Sequence, residues 1–267
     1  MSDETTAPDV SVVIPCYNAE RWVGRAIDSV LAQEGVTVEV IVIDDGSTDG
    51  SVNVLRRYED RIHWETGPNR GACAARNRGL ALARADYVMF LDADDYLLPA
   101  CLYELRRQSA LDDADATIGS AYSEQVGGRR KKMKGPKVAS NIDVLESWLT
   151  GKWVPPCAVL WTRDSISYLG AWDESLTKHQ DTELMMRSAI LGARFTHCRT
   201  ANSIYFKGAG SERISQKNNE RAHRDILRTR REILSAIKGT NLDCHRVYLA
   251  IAEGLHKPAA KCLIQGQ

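Results

Sequence analysis

The chain has 267 residues, 43% of them hydrophobic, and its 35 basic and 35 acidic side chains cancel. That length allows one large domain, or one domain with an appendage, around a sizeable core; the charge balance gives no electrostatic reason to expect nucleic acid as a partner. Seven cysteines, without a C-x-x-C pair or a Cys/His cluster, speak against a disulfide framework and a zinc site and suit a reducing compartment.

The N-terminus "MSDETTAPD" is polar and acidic, unlike a signal peptide. No run approaches the roughly 18 apolar residues of a membrane helix, so a cytoplasmic protein is expected, with peripheral membrane contact left open. The β-branched run "VSVVI" (10–14), stopped by Pro15, predicts a strand, and Trp22, Val23, Ile27, Val30 and Leu31 recur at helical spacing over 20–33. A second strand, "VEVIVI" (38–43), ends at "DDGSTDG"; "SVNVLRRYE" predicts a helix with Ser47 or Asp49 as N-cap. A short strand at 62–65, an Ala-rich helix at 71–84 and a strand "YVMFL" (87–91) follow. Alternating strands and helices, with strands apolar on both faces, predict an α/β fold whose mostly parallel sheet is flanked by helices.

Beyond Pro99 the pattern predicts a helix to about 111 and a strand over 117–125, and then "GGRRKKMKGPK", six basic residues between glycines and a proline. That segment reads as a mobile surface loop, either simply solvated or in contact with phosphate, acceptor or lipid headgroups. A helix at 142–149, a strand at 157–161, a helix at 181–191 and a strand at 194–199 complete the main domain. Two amphipathic helices, 217–238 and 243–263, form a C-terminal extension that docks on the main domain or makes a homo-oligomer contact.

In "MFLDADDYL" an apolar run ends in Asp92, Asp94 and Asp95. A parallel sheet would bring these to the same edge as Asp44 and Asp45 after the second strand, and ligands of open α/β sheets bind outside the carboxyl ends of the strands. Carboxylates so close raise one another's pKa unless a cation or hydrogen-bond donors compensate. Oxygen ligands suit Mg²⁺ or Mn²⁺, which leave coordination positions free for a diphosphate.

Several stretches together, "VSVVIPCYNAERWVGRAIDSVLAQ", "VIVIDDGSTDGS", "NRGACAARNRGLALARADYVMFLDADD" and "WDESLTKHQDTELMMRSAILG", resemble the family 2 glycosyltransferases of GT-A fold over residues 10 to about 200. The resemblance implies a GT-A domain over 1–210, with a donor half at about 10–115 and an acceptor half at about 116–210, before the extension 211–267. It implies a nucleotide-diphospho-sugar donor, UDP being the commonest, a divalent metal, Mg²⁺ or Mn²⁺, and transfer with inversion to a carbohydrate, lipid-linked or other hydroxyl acceptor. Pro15, Tyr17, Glu20 and Asp45 would border the nucleoside, Asp92 the ribose and metal, and Asp94 would ligate the metal. Arg70 and Asn77 lie in the family's donor-binding segment, Asn77 holding the loop or the ribose.

The family's general base sits in an acidic dipeptide at a helix start, which makes Asp181 the expected base, with Gln180 before it, and Glu183 the reserve candidate. Asp181 also suits a helix N-cap. A histidine that completes the metal shell in many relatives has no counterpart, since Gly208 stands there; His179 and His197 are the substitutes to consider, or Lys207 and Arg213 could neutralise the diphosphate directly. Trp153, Trp161 and Trp172 fall in the acceptor half, where an exposed ring would stack on a sugar, Trp161 being expected in the core. Two other readings stay open: a GT-A-like protein that binds nucleotide or sugar without turnover, and a sugar-phosphate nucleotidyltransferase, although "PCYNAE" lacks the phosphate loop that the latter would carry.

Overall fold

A computed structural model of the chain describes residues 7–208 and 220–253. Among the described residues nine strands form one mixed sheet in the order β3-β2-β1-β4-β8-β6-β9-β5, with β7 beside β6. The parallel part is β1 (Val10–Cys16), β2 (Val38–Asp44), β3 (His63–Thr66) and β4 (Tyr87–Phe90). β1, β2 and β4 are largely apolar on both faces because both are covered, whereas the edge strand β3 is polar and partly exposed. Val10, Val12 and Ile14 pack with Val23, Ile27 and Val30 of α1 (Val23–Leu31), whereas Val13 joins the opposite core under α3 (Ala72–Leu82). Gly79 brings α3 onto β1: a Cβ there would lie 2.3 Å from Val13 Cγ1.

The second half departs from an all-parallel arrangement. β8 (Val159–Thr162) runs antiparallel to both β4 and β6 (Ala116–Gln125), and β9 (Phe195–Lys207) then pairs parallel to β6. One sheet therefore runs through both expected halves. β9 is far longer than the predicted strand because an irregularity in the β6 register, between Ile118 and Ser120, lets its polar stretch rejoin the ladder. The two-residue β5 (Tyr96–Leu97) is too short to leave a periodic signal, and α2 (Ser51–Leu55) is shorter than predicted because it tightens into a 3-10 turn over Arg56–Tyr58.

The basic segment is not the expected loop throughout: Arg130–Lys132 form β7, antiparallel to β6 through Ser123–Lys131 and neighbouring pairs. α4 (Cys101–Asp112), α5 (Asn141–Leu149), α6 (Arg163–Tyr168) and α7 (Gln180–Ile190) cover the sheet. α8 (Glu220–Ile237) and a helix from 245 to at least 253 follow, the remainder of the predicted last helix and the start of the one before it lying outside the described residues. Ile233, Ile237, Val247 and Ile251 share one apolar cluster with Val144 and Leu145 of α5 and Leu184 and Met185 of α7. The C-terminal helices are thus continuous with the main core. No described helix is long and apolar enough to cross a membrane.

Candidate active site

A cleft of about 2300 Å³ opens at the carboxyl ends of the parallel strands. Pro15, Tyr17, Glu20, Asp45, Arg70, Asp92, Asp94 and Asp181 all line it. Asn77 does not. Its amide donates to the Trp172 carbonyl and to Glu174 Oε1, both at 2.9 Å, and accepts from the Trp172 N–H at 3.0 Å. It clasps the segment that leads to Asp181.

On the donor side the loops after β1 and β2 hold each other. Asn18 Oδ1 accepts the Thr48 N–H at 2.7 Å, Ser51 Oγ accepts the Ala19 N–H at 2.8 Å, and Glu20 Oε2 accepts the Gly50 N–H at 2.7 Å. Both oxygens of the buried Asp45 accept backbone N–H groups, from Arg70 at 2.7 Å and Gly71 at 2.8 Å. Gly71 takes φ 97°, a conformation in which a side chain would be strained, as it turns the chain into α3. Asp44 is elsewhere: it is buried in β2, where Oδ2 accepts the Thr66 hydroxyl at 2.6 Å, and it does not line the cleft.

The three acids after β4 have separate surroundings. Asp95 is fully buried, and its Oδ1 accepts the Phe206 N–H at 2.9 Å, which ties the turn to β9. It does not cap α4, which starts after Ala100. Arg25 donates to the Asp94 carbonyl at 2.7 Å while its guanidinium lies 4.2 Å from the centroid of the Phe206 ring and 4.4 Å from that of Tyr96. The turn is therefore braced from behind. Asp92 and Asp94 line the cleft, but among the described residues no group of three or more His, Cys, Asp or Glu side chains is placed to hold a metal ion. His179 lines the cleft and His197 does not; Gly208 lies at its edge, near Trp22 and Phe206.

Sequence reasoning missed Arg76. From the buried face of α3 its guanidinium donates to Asp92 Oδ1 at 2.7 Å and Gln180 Oε1 at 3.0 Å, and it lies 4.4 Å from the centroid of the Trp172 ring. One cation so joins the acidic turn after β4 to the start of α7. The available signal was its position: with Cys73, Ala75 and Gly79 it forms the face that α3 turns to the sheet, where a lone arginine needs a partner. Trp172 is buried against Phe90, Trp161 is buried in β8 as expected, and half-buried Trp153 lines the cleft with its edge against Tyr205.

α7 begins after His179, itself in a left-handed conformation, so Asp181 stands inside the first turn and not at the N-cap. Burial pushes the Asp181 carboxyl above its ordinary pKa; nearby Asp92 adds to that, whereas the Thr182 N–H and the Arg76 charge oppose it. A raised pKa makes a carboxylate a stronger base, which is what proton abstraction from a hydroxyl needs. Glu183, the reserve candidate, is ruled out by its partner: both its oxygens accept from Arg187, at 2.6 and 3.0 Å, and it does not line the cleft.

The extension contributes to this site in two ways that sequence reasoning did not anticipate. Arg230, Ala252 and Glu253 line the cleft. Asp225 of α8, itself buried, accepts the Thr177 N–H at 2.9 Å and hydroxyl at 2.7 Å, and Arg228 donates to Asp173 at 2.7 Å. The approach to Asp181 is gripped by Asn77 on one side and α8 on the other. Asp225→Ala is expected to cost about 2 kcal/mol in a denaturant titration and to lower kcat more than it raises the donor KM, because it loosens the lead-in to Asp181 without touching the donor loops.

A sequence profile described as "Glycosyl transferase family 2" matches residues 11–159. A Rhizobium meliloti protein, "Succinoglycan biosynthesis protein ExoU", is 32% identical over 203 residues, covering 70% of this chain and 58% of its own length. A Rickettsia felis "Uncharacterized glycosyltransferase" is 28% identical over 223 residues, 80% of this chain and 37% of that one. The chain thus spans less than two thirds of the length of either relative. Among solved structures, S. aureus TarS residues 1–349 in complex with UDP-GlcNAc superposes with a TM-score of 0.75 at 20% identity, over 94% of this chain and 73% of that one.

Proposed function

Since the chain belongs to glycosyl transferase family 2, we propose that it moves a sugar from a nucleotide-diphospho-sugar to an acceptor hydroxyl with inversion at the anomeric carbon. A UDP-sugar is the donor we favour, in line with the UDP-GlcNAc bound by TarS, which has the same fold, and the succinoglycan relative supports a glycan acceptor. The observation that carries this reading is the convergence on one cleft of Pro15, Tyr17, Glu20, Asp45, Arg70, Asp92 and Asp94 with Asp181 from the other half of the chain.

In this reading Asp181 takes the proton from the attacking hydroxyl. The acceptor oxygen bonds to the anomeric carbon as the bond to the nucleotide diphosphate breaks on the opposite face. Tyr17, Glu20 and the loop held by Asp45 border the nucleoside. Arg76 fixes Asp92 and the start of α7 in relation to each other, so that donor and base meet at a set separation. Mg²⁺ or Mn²⁺ fits the pair Asp94 and Asp92, since magnesium is often held by one or two carboxylates with substrate phosphates and water, and when bound it offsets charge on the leaving diphosphate.

The test is donor turnover over a panel of nucleotide sugars and glycan acceptors, with and without Mn²⁺, for wild type and Asp94→Ala. Metal-dependent turnover that Asp94→Ala lowers by at least about 100-fold is expected. Nucleotide binding with no turnover across the panel would replace this reading with a binding protein, and full activity in Asp94→Ala would remove Asp94 as a ligand.

A further inference from the structure

The β6–β7 hairpin takes no part in the site described above. It presents Arg129, Arg130, Lys131, Lys132 and, just beyond, Lys134, all exposed, and no acidic residue occurs between Val126 and Asn141. Arg130 is paired with Glu124 at 2.6 Å, but Arg129, Lys131, Lys132 and Lys134 have no ion pair among the described residues. A charged edge strand by itself guards a sheet against pairing with another chain. That role needs neither a single sign of charge nor an apolar tip, and Val126, at the turn beside Gly127 and Gly128, is 60% exposed.

Two further observations extend the positive surface beyond the hairpin. Lys207, exposed at the end of β9, stands in register with Gln125 at the end of β6. On the same sheet, burial lowers the pKa of His197, and the charges of Arg199 and Lys132 add to that.

The hairpin also has a fixed place relative to the cleft. The chain leaving β7 packs along the wall that holds Trp148 and Trp153: the Lys137 N–H donates to Ser147 Oγ at 3.0 Å, and a Cβ at Gly135 would lie 3.5 Å from Val154. Trp148 and Trp153 both line the cleft.

We propose that the β6–β7 hairpin docks on an anionic lipid surface, Val126 entering the headgroup layer and Arg129, Lys131, Lys132 and Lys134 meeting the lipid phosphates. Basic residues next to an apolar contact are the combination that such surfaces select, with binding that weakens as salt screens the attraction. The docking itself is independent of the transfer reaction. Its consequence, that the Trp148–Trp153 side of the cleft faces the membrane and an acceptor presented there, rests on the function proposed above.

Flotation of the full chain with phosphatidylcholine vesicles, with and without phosphatidylglycerol, tests the proposal without any turnover. Binding to the phosphatidylglycerol vesicles alone is expected, falling at least about tenfold for the double variant Lys131→Glu, Lys132→Glu and on raising salt, and falling also for Val126→Asp. Unchanged Tm in the variants would show that the fold is kept, and unchanged turnover of a soluble acceptor would keep the docking separate from the chemistry. The proposal is overturned by no binding to the anionic vesicles, by equal binding of the charge-reversed variant, or by a soluble anionic polysaccharide competing the protein off the vesicles at charge concentrations well below those of the lipid.

Discussion

Asp181→Asn is expected to lower kcat by about 10²- to 10⁴-fold, the usual contribution of a positioned general base, while nucleotide-sugar affinity, read by calorimetry, stays close to wild type. The same substitution should raise Tm at neutral pH. Asp181 has a folded-state pKa above its unfolded one, so its effect on stability is most favourable below the unfolded pKa, and stability is lost as pH rises through the folded pKa. An amide of the same shape removes that cost. Loss of activity with gained stability is what a site residue held against its ionic preference should give; loss of both would point to a scaffolding role. In wild type the acidic limb of kcat should lie above the range of an ordinary carboxylate, and the residual activity of the variant should lack it.

Arg76→Met should be costly in a different way. It removes the donor to Asp92 and Gln180 and leaves Asp92 facing a neutral side chain. The expected loss is about 2–4 kcal/mol, seen as a lowered denaturant midpoint. Because the Arg76 charge lowers the Asp181 pKa, the acidic limb of kcat should move to higher pH in this variant. Arg76→Lys keeps the charge but not the fork that reaches two partners and lies against Trp172, so it should restore the pH limb more fully than kcat. An unmoved limb in Arg76→Met would break the electrostatic link between Arg76 and Asp181.

The first half of the fold could be read from the chain because its signals are local. A buried parallel strand such as "VEVIVI" is apolar apart from Glu39, and the acids at its end are as visible as the strand. The order β4-β8-β6-β9 was not legible, since it depends on pairing, antiparallel at β8 and parallel at β9, between segments far apart in sequence. The same division holds at the site. Asp92, Asp94 and Asp181 announce themselves by charge and by motif. Arg76 looks like any helix arginine until the sheet, Trp172 and α7 close around it, and Asp225 becomes interpretable when α8 meets Thr177. That Asp95 is buried and tied to β9 leaves no mark in "DADD".

The loops after β1 and β2 carry a consequence for the timing of binding. Asn18, Glu20 and Ser51 fasten them to each other, and Asp45 fastens the approach to α3 through two N–H groups. Their conformational entropy is therefore surrendered when the chain folds, not when a nucleotide arrives. On the function proposed above, the nucleotide half of the donor would meet loops already ordered, and little of its binding energy would be spent on fixing them.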